Sequence, residues 1–260
     1  MSGMLENSMA VLYEESDLIL AEQAIASDLK LLEGLIKSDP ENDKFLLLAC
    51  QGFGSYALGF VEDAEPDRAR TFYLRGRDYG LRILVKNKNF RDAITGSSEQ
   101  LNAALKKFNK KDVPTLFWTA NNWASWINLN LTNPDAIADL PRVQQMMGRV
   151  LELDESYFFG GAHLFFATIY AVRPPLLGGN IEKSKHHFER CFEHSRDKFL
   201  LPYIYYARFY TTRTFDEELF TKTLSKVLET PDDILPDQRL PNAIAKNKAK
   251  RLLKQKDELF

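Results

Sequence analysis

Apolar residues recur along the chain at helical spacing, and Pro, Gly, Asn and Asp interrupt the recurrence at short intervals. The stretches so bounded predict about eleven helices, near residues 17–38, 43–61, 67–86, 97–108, 113–130, 140–152, 156–172, 180–194, 201–212, 216–229 and 240–257. Asp39-Pro40, Glu65-Pro66, Asn133-Pro134, Pro174-Pro175 and Gly178-Gly179 are among the breakers between them. No strand-like alternation recurs between turn signals, so the fold class is all-α. Short connections favour antiparallel neighbours, and no Ser/Pro/Gly-rich tract marks a boundary. Residues 17–260 therefore read as a single helical-repeat domain. Residues 1–16 read as an N-terminal segment, with Met1-Ser2-Gly3 either native or a cloning remnant.

A second pattern lies within the first. A small or apolar residue, a larger one four positions on, and a third three beyond that recur as Ser27/Leu31/Gly34, Ala69/Tyr73/Gly76, Val143/Met147/Val150, Ser184/Phe188/Cys191 and Phe220/Leu224/Val227. The second helix of a tetratricopeptide unit uses this spacing, because small residues let it lie close to the first helix while the larger one fills the groove. One copy could belong to any amphipathic helix. Five copies, each after another helix, predict a degenerate tetratricopeptide-like solenoid of helical hairpins.

Composition narrows the function classes. With 45% apolar residues the chain can bury a full core. Its 34 basic and 36 acidic residues nearly cancel, leaving a net charge of -2 and no field of one sign to hold a nucleic-acid backbone. Two cysteines, Cys50 and Cys191, are too few for a disulfide framework and sit inside apolar helical patterns. No stretch reads as the roughly 20 apolar residues of a membrane span, and the first residues lack the regions of a signal peptide.

Catalytic chemistry finds little footing. His187, Cys191 and His194 stand at i, i+4, i+7 on one helical face, a spacing that a metal-dependent hydrolase could use if the three converged. Cys191 is also the small packing residue of its repeat, and a buried thiol beside two ordinary histidines is the plainer account. No nucleophile motif or phosphate loop is present, so no catalytic residue, metal or cofactor is expected. Binding residues are better represented. Trp118, Trp123 and Trp126 share one helix with Asn121, Asn122 and Asn128, and an aromatic wall with neutral amides suits a groove for an apolar ligand. The competing account is that the tryptophans only fill the space between helices. Phe117, Trp118, Asn121, Asn122 and Tyr206 are the ligand-binding candidates, in a groove between the 113–130 helix and the first-of-pair helices beside it. Tyr203, Tyr205, Arg208 and Tyr210 form a second cluster of the residue types that anchor interfaces, and are the partner-binding candidates.

Longer strings carry a resemblance. They include Leu116-Phe117-Trp118-Thr119-Ala120 with Trp123 and Trp126, Asp139-Leu140-Pro141-Arg142-Val143, and Val150-Leu151-Glu152-Leu153-Asp154. Further matches are Gly52 to Phe60, Tyr73-Leu74-Arg75 with Arg77-Asp78-Tyr79-Gly80, Arg173-Pro174 with Gly178-Gly179, Tyr205-Tyr206-Ala207-Arg208, and Asn242-Ala243 to Phe260. In this order and separation the chain, from about residue 17 to its end, resembles the TRAP transporter T-component family. The resemblance implies a non-enzymatic, periplasmic, usually lipid-anchored helical accessory that binds the solute-binding protein of a tripartite ATP-independent periplasmic transporter. It also implies a homotrimer whose protomers carry a channel or cleft for an apolar ligand, touching the membrane only through a lipid anchor that this chain lacks. A general tetratricopeptide-like scaffold for protein–protein interaction is the alternative.

Overall fold

The computed structural model describes the backbone of residues 2–260 and side chains from residue 7 onward. Met1, and with it the origin of Met1-Ser2-Gly3, lies outside that description. The protein is 80% helical, with no strand among the described residues. Its helices are α1 (Ser2–Glu14), α2 (Leu18–Ser38), α3 (Asp43–Tyr56), α4 (Pro66–Leu84), α5 (Lys88–Ala93), α6 (Ser98–Leu105), α7 (Val113–Asn128), α8 (Pro134–Ala138), α9 (Leu140–Asp154), α10 (Tyr157–Val172), α11 (Ile181–Ser195), α12 (Leu201–Tyr205), α13 (Glu217–Glu229) and α14 (Arg239–Lys254). Helices α1, α5 and α8 exceed the eleven expected. The two short ones were missed because six and five residues are too few to show a period, although Asn87 and Asn133 cap them as N-cap residues should.

Two helices run on into π-helical turns, α3 into Ala57–Val61 and α12 into Tyr206–Thr211. Such turns widen a helix locally and are frequent at functional positions. The chain divides into two compact units, one of residues 22–157 and one of residues 1–21 with 158–260.

In the 22–157 unit, α4 lies between α3 and α7, and α9 packs on the far side of α7. The α3/α4/α7 junction is unusually close. A Cβ built at Gly54 would stand 2.1 Å from Asn122 Oδ1, so a Gly54 Cα hydrogen points at that oxygen. Only glycine permits this approach. The helix Asp43–Val61 is long and apolar enough to cross a membrane, contrary to the sequence expectation. Its apolar face is used inside the unit instead, where Leu46, Ala49, Cys50, Phe53, Tyr56, Ala57 and Val61 are all buried.

In the other unit, α12 and its π-turn pack on α13, α11 and α14, and α1 lies on α14. Small residues set α11 against α10: Ser184 Oγ donates to the Ala167 carbonyl at 2.8 Å and Cys191 Sγ to that of Gly160 at 3.4 Å. The first turn of α10 is left-handed at Phe158, Phe159 and Gly160, with φ of 48°, 56° and 76°. Two bulky residues there are costly, and the Phe159 ring, stacked on Phe199 at 4.3 Å, helps to hold them.

Four of the five repeat sets are fully buried at the expected positions: Ala69/Tyr73/Gly76, Val143/Met147/Val150, Ser184/Phe188/Cys191 and Phe220/Leu224/Val227. The set Ser27/Leu31/Gly34 is not. All three residues are exposed, and α2 buries Ile25, Leu29, Leu32 and Ile36 instead. Both stripes have helical spacing, and the larger side chains decided which one faces the core.

Candidate functional site

A cleft of about 820 Å³ lies in the 158–260 part between α11, α12 with its π-turn, and α13. Asn180 caps α11 through Lys183 N and Asp216 caps α13 through Leu219 N, which fixes where the two walls begin. The π-turn sets Tyr206 toward the cleft in line with Tyr203 and Tyr210. Phe192 of α11 stacks on Tyr203 at 4.3 Å, and Tyr206 on Tyr210 at 4.7 Å, while Phe188 meets Tyr206 edge-on at 5.1 Å. Phe192, Tyr203, Tyr206 and Leu219 give the cleft an apolar floor, and Glu189, Lys222, Lys226 and Glu229 stand at its rim.

The polar tips are arranged unequally. The Tyr203 hydroxyl donates to Asp197 and accepts from Lys226 Nζ at 2.8 Å, and the same ammonium lies 4.4 Å from the Tyr203 ring centre. Burial, and then the hydrogen bond to Asp197, push the Tyr203 hydroxyl far above the ordinary range. Burial also pushes Tyr206 up to about 12, with the neighbouring Tyr210, Asp216 and Glu189 adding to it. Both remain neutral, so the cleft offers flat apolar faces and the Tyr206 hydroxyl rather than phenolate charge, the Tyr203 O–H being held by Asp197.

The predicted site residues part company. Tyr203 and Tyr206 line the cleft and Tyr210 stacks on Tyr206, whereas Tyr205 and Arg208 belong to another face, where Tyr205 and the Arg208 guanidinium meet Phe209 at 5.8 and 5.3 Å. Phe117, Trp118, Asn121 and Asn122 lie in the 22–157 unit. There Phe117 and Trp118 are 2% and 5% exposed, and Trp118 Nε1 donates to the Tyr157 hydroxyl at 3.2 Å. Asn122 is fully buried, its Nδ2 donating to the Cys50 carbonyl at 2.8 Å; Asn121 is half-buried. Trp123 donates to Asp139 at 3.1 Å and lies beneath the Arg77 guanidinium. The sequence missed Phe192, Leu219 and Lys226 as cleft residues. Phe192, four residues beyond Phe188 and next to a core set, was the signal available.

His187, Cys191 and His194 do not gather into a shared metal-ligand group. Cys191 turns inward to Gly160, and burial drives its thiol well above the ordinary range. His187 Nδ1 lies 2.8 Å from His163 Nδ1, so one ring donates and the other accepts. Burial first, then the charges of His163, His186 and Lys183, hold His187 down to about 4. Near neutral pH it is an uncharged partner in a hydrogen bond.

A family model described as TRAP transporter T-component matches residues 14–260. A protein of Treponema pallidum (strain Nichols), described as uncharacterized, is 25% identical over 270 residues, covering 96% of this chain and 82% of that protein.

Proposed function

The chain belongs to the TRAP transporter T-component family, and from that premise we propose that it is a non-enzymatic accessory that binds the periplasmic solute-binding protein of its transporter and holds an apolar group in the cleft. The helical hairpins are read as degenerate tetratricopeptide-like units, a reading supported by the four buried repeat sets on the second helices of their pairs. A periplasmic, lipid-anchored, homotrimeric form is the one that membership of the family suggests.

The observation that carries the ligand part is the cleft itself. It is concave and of a size for a small ligand, with an apolar aromatic floor and neutral hydroxyls. Tyr206 is the ligand candidate that lines it. The face of Tyr205, Arg208 and Phe209 is separate and suits the partner protein, since an exposed arginine over an aromatic ring is a common interface anchor. Calorimetric titration with the solute-binding protein of the same transporter tests this. A one-to-one complex that Arg208→Glu weakens and Tyr206→Ala leaves intact is expected. No heat of binding at any temperature would remove the accessory role, and loss of the complex in Tyr206→Ala alone would move the partner into the cleft.

A further inference from the structure

The loop between α10 and α11 presents apolar side chains outward. Leu176 is 98% and Leu177 68% exposed, beside Val172 at 42%. The turn that carries them is built rather than loose. Leu177 N and Gly179 N both donate to the Pro174 carbonyl, at 2.9 and 3.0 Å, and Asn180 N donates to that of Tyr170 at 3.0 Å. Gly178 has φ of 89°, and a Cβ at Gly179 would fall 1.8 Å from the Arg173 carbonyl oxygen, so both glycines are needed for the turn. Two prolines, Pro174 and Pro175, restrict the chain before the tip. A tip fixed in this way loses little conformational entropy when it docks.

The same unit therefore holds an apolar projection and, on α11 and its neighbours, an apolar hollow. The loop enters α11 at Ile181 and the cleft begins at Glu189 and Phe192, about 12 to 16 Å along the same helix at 1.5 Å per residue. The projection does not fill its own hollow, since both leucines stand in solvent. A projection and a hollow at different places on one chain are the elements of a head-to-tail contact. We propose that the apolar group received by the cleft is the Leu176–Leu177 tip of a second copy of this chain. The cleft, at about 820 Å³, has room for two leucine side chains, and its floor of Phe192, Tyr203, Tyr206 and Leu219 is chemically matched to them. An uncharged tip also avoids leaving a buried charge among those rings. A bilayer is the less suited partner, because two leucines without a cluster of cations or a second anchor give only marginal membrane binding. The inference rests on the homo-oligomeric reading above and names the contact that would make it.

Sedimentation velocity across a concentration series, on the full chain, tests it. Wild type should self-associate, and Leu176→Ser with Leu177→Ser should weaken association by about a hundredfold or more. Both leucines are exposed, so the double variant should keep its circular dichroism spectrum and melting temperature. Ser225→Phe, which fills the cleft from α13, should weaken association likewise. Mixing the two variants should restore a one-to-one pair, since one intact tip and one intact cleft remain, a result that a tip-to-tip contact would not give. A double serine variant that associates as wild type does overturns the inference and leaves the oligomer standing. A wild type that stays monomeric overturns both. Binding to phosphatidylglycerol vesicles that the serine variant loses, with sedimentation unchanged, would assign the tip to membrane and overturn the inference.

Discussion

Two hairpins in this protein carry a π-helical turn beside a row of aromatic rings, and the two rows end differently. Beside Ala57–Val61, Phe53, Tyr56, Phe72 and Tyr79 stack or meet edge-on at 5.5 to 6.0 Å. Arg68, Arg75 and Arg82 lie over Phe72, Phe53 and Tyr79 at 5.2, 4.8 and 5.7 Å. Glu33 accepts from the Tyr79 hydroxyl at 2.9 Å and pairs with Arg75 at 2.6 Å. Beside Tyr206–Thr211 the comparable row has one cation, Lys226 over Tyr203, and an open cleft. A planar guanidinium can cover a ring and pair with a carboxylate at once, whereas a single ammonium on a flexible stem covers little. The first row is spent on stability, and the second keeps its faces available.

The closed row should therefore be the one that a single methyl group damages. Gly54→Ala would drive a Cβ to 2.1 Å from Asn122 Oδ1, and Asn122 cannot swing away because it is fully buried and bonded to the Cys50 carbonyl. We expect a loss of about 3 kcal/mol in urea unfolding. A loss under half of that would mean the junction is looser than its distances imply. Asn122→Leu should cost about 1 to 3 kcal/mol, by leaving the buried Cys50 carbonyl without the amide. A stable Asn122→Leu protein with altered co-purifying small molecules, seen by native mass spectrometry, would instead return Asn122 to a ligand groove.

Asn122 shows what the sequence could and could not tell. An all-α chain was legible because period and breakers agreed along its length, and four repeat sets landed in the core because large residues flank small ones there. The fifth set failed on α2, where two helical stripes compete and only tertiary packing chooses between them. The tryptophan and asparagine helix looked like a ligand wall because aromatic and amide residues serve a groove and a tight junction equally well. What separates the two uses is Gly54 on α3 and Gly76 on α4, residues distant in sequence. The Tyr203 to Tyr210 cluster stands out in the sequence, but a helical wheel of 3.6 residues per turn cannot divide it. The π-turn puts Tyr206 in the cleft while Tyr205 and Arg208 meet at Phe209.

Acid should separate the two regions next. His187 is held at about 4 in the folded protein against an ordinary value of 6.5, so between these values the unfolded chain binds the extra proton. Its contribution is complete above about pH 6.5 and is lost as pH falls toward 4, by roughly 1 to 2 kcal/mol after allowance for its partial exposure. Glu33 behaves oppositely in timing. Burial raises it, but Lys30, Tyr79 and Arg75 outweigh burial and hold it below its ordinary value, so its contribution persists until the carboxylate range is reached. Hydrogen exchange followed by mass spectrometry from pH 7 to pH 4 should show α10 and α11 losing protection before α3 and α4. Simultaneous loss would break the distinction, and His187→Phe should abolish the early phase if the histidine causes it.

The smallest effect is expected from the cation over each row, and it bears most directly on whether the second row is a binding surface. Arg75 lies 4.8 Å from the Phe53 ring centre and pairs at 2.6 Å with Glu33, whose side chain is only 14% exposed. Arg75→Gln removes both interactions and leaves a shielded carboxylate short of a partner, a cost of about 1 kcal/mol. Lys226 is half exposed, stands 3.9 Å from Asp197, and contacts one ring. Lys226→Gln retains an N–H for the Tyr203 hydroxyl, so it should cost about 0.5 kcal/mol or less. Parallel urea titrations resolve the difference. Binding of anilinonaphthalene sulfonate supplies an independent reading, because removing Lys226 alters the wall of the cleft and should change the dye's affinity, while removing Arg75 should not. If Lys226→Gln proved as costly as Arg75→Gln and left dye binding unchanged, the second row would be closed in solution as the first is. The cleft would then be a packing feature, and the apolar group assigned to it would have to sit elsewhere.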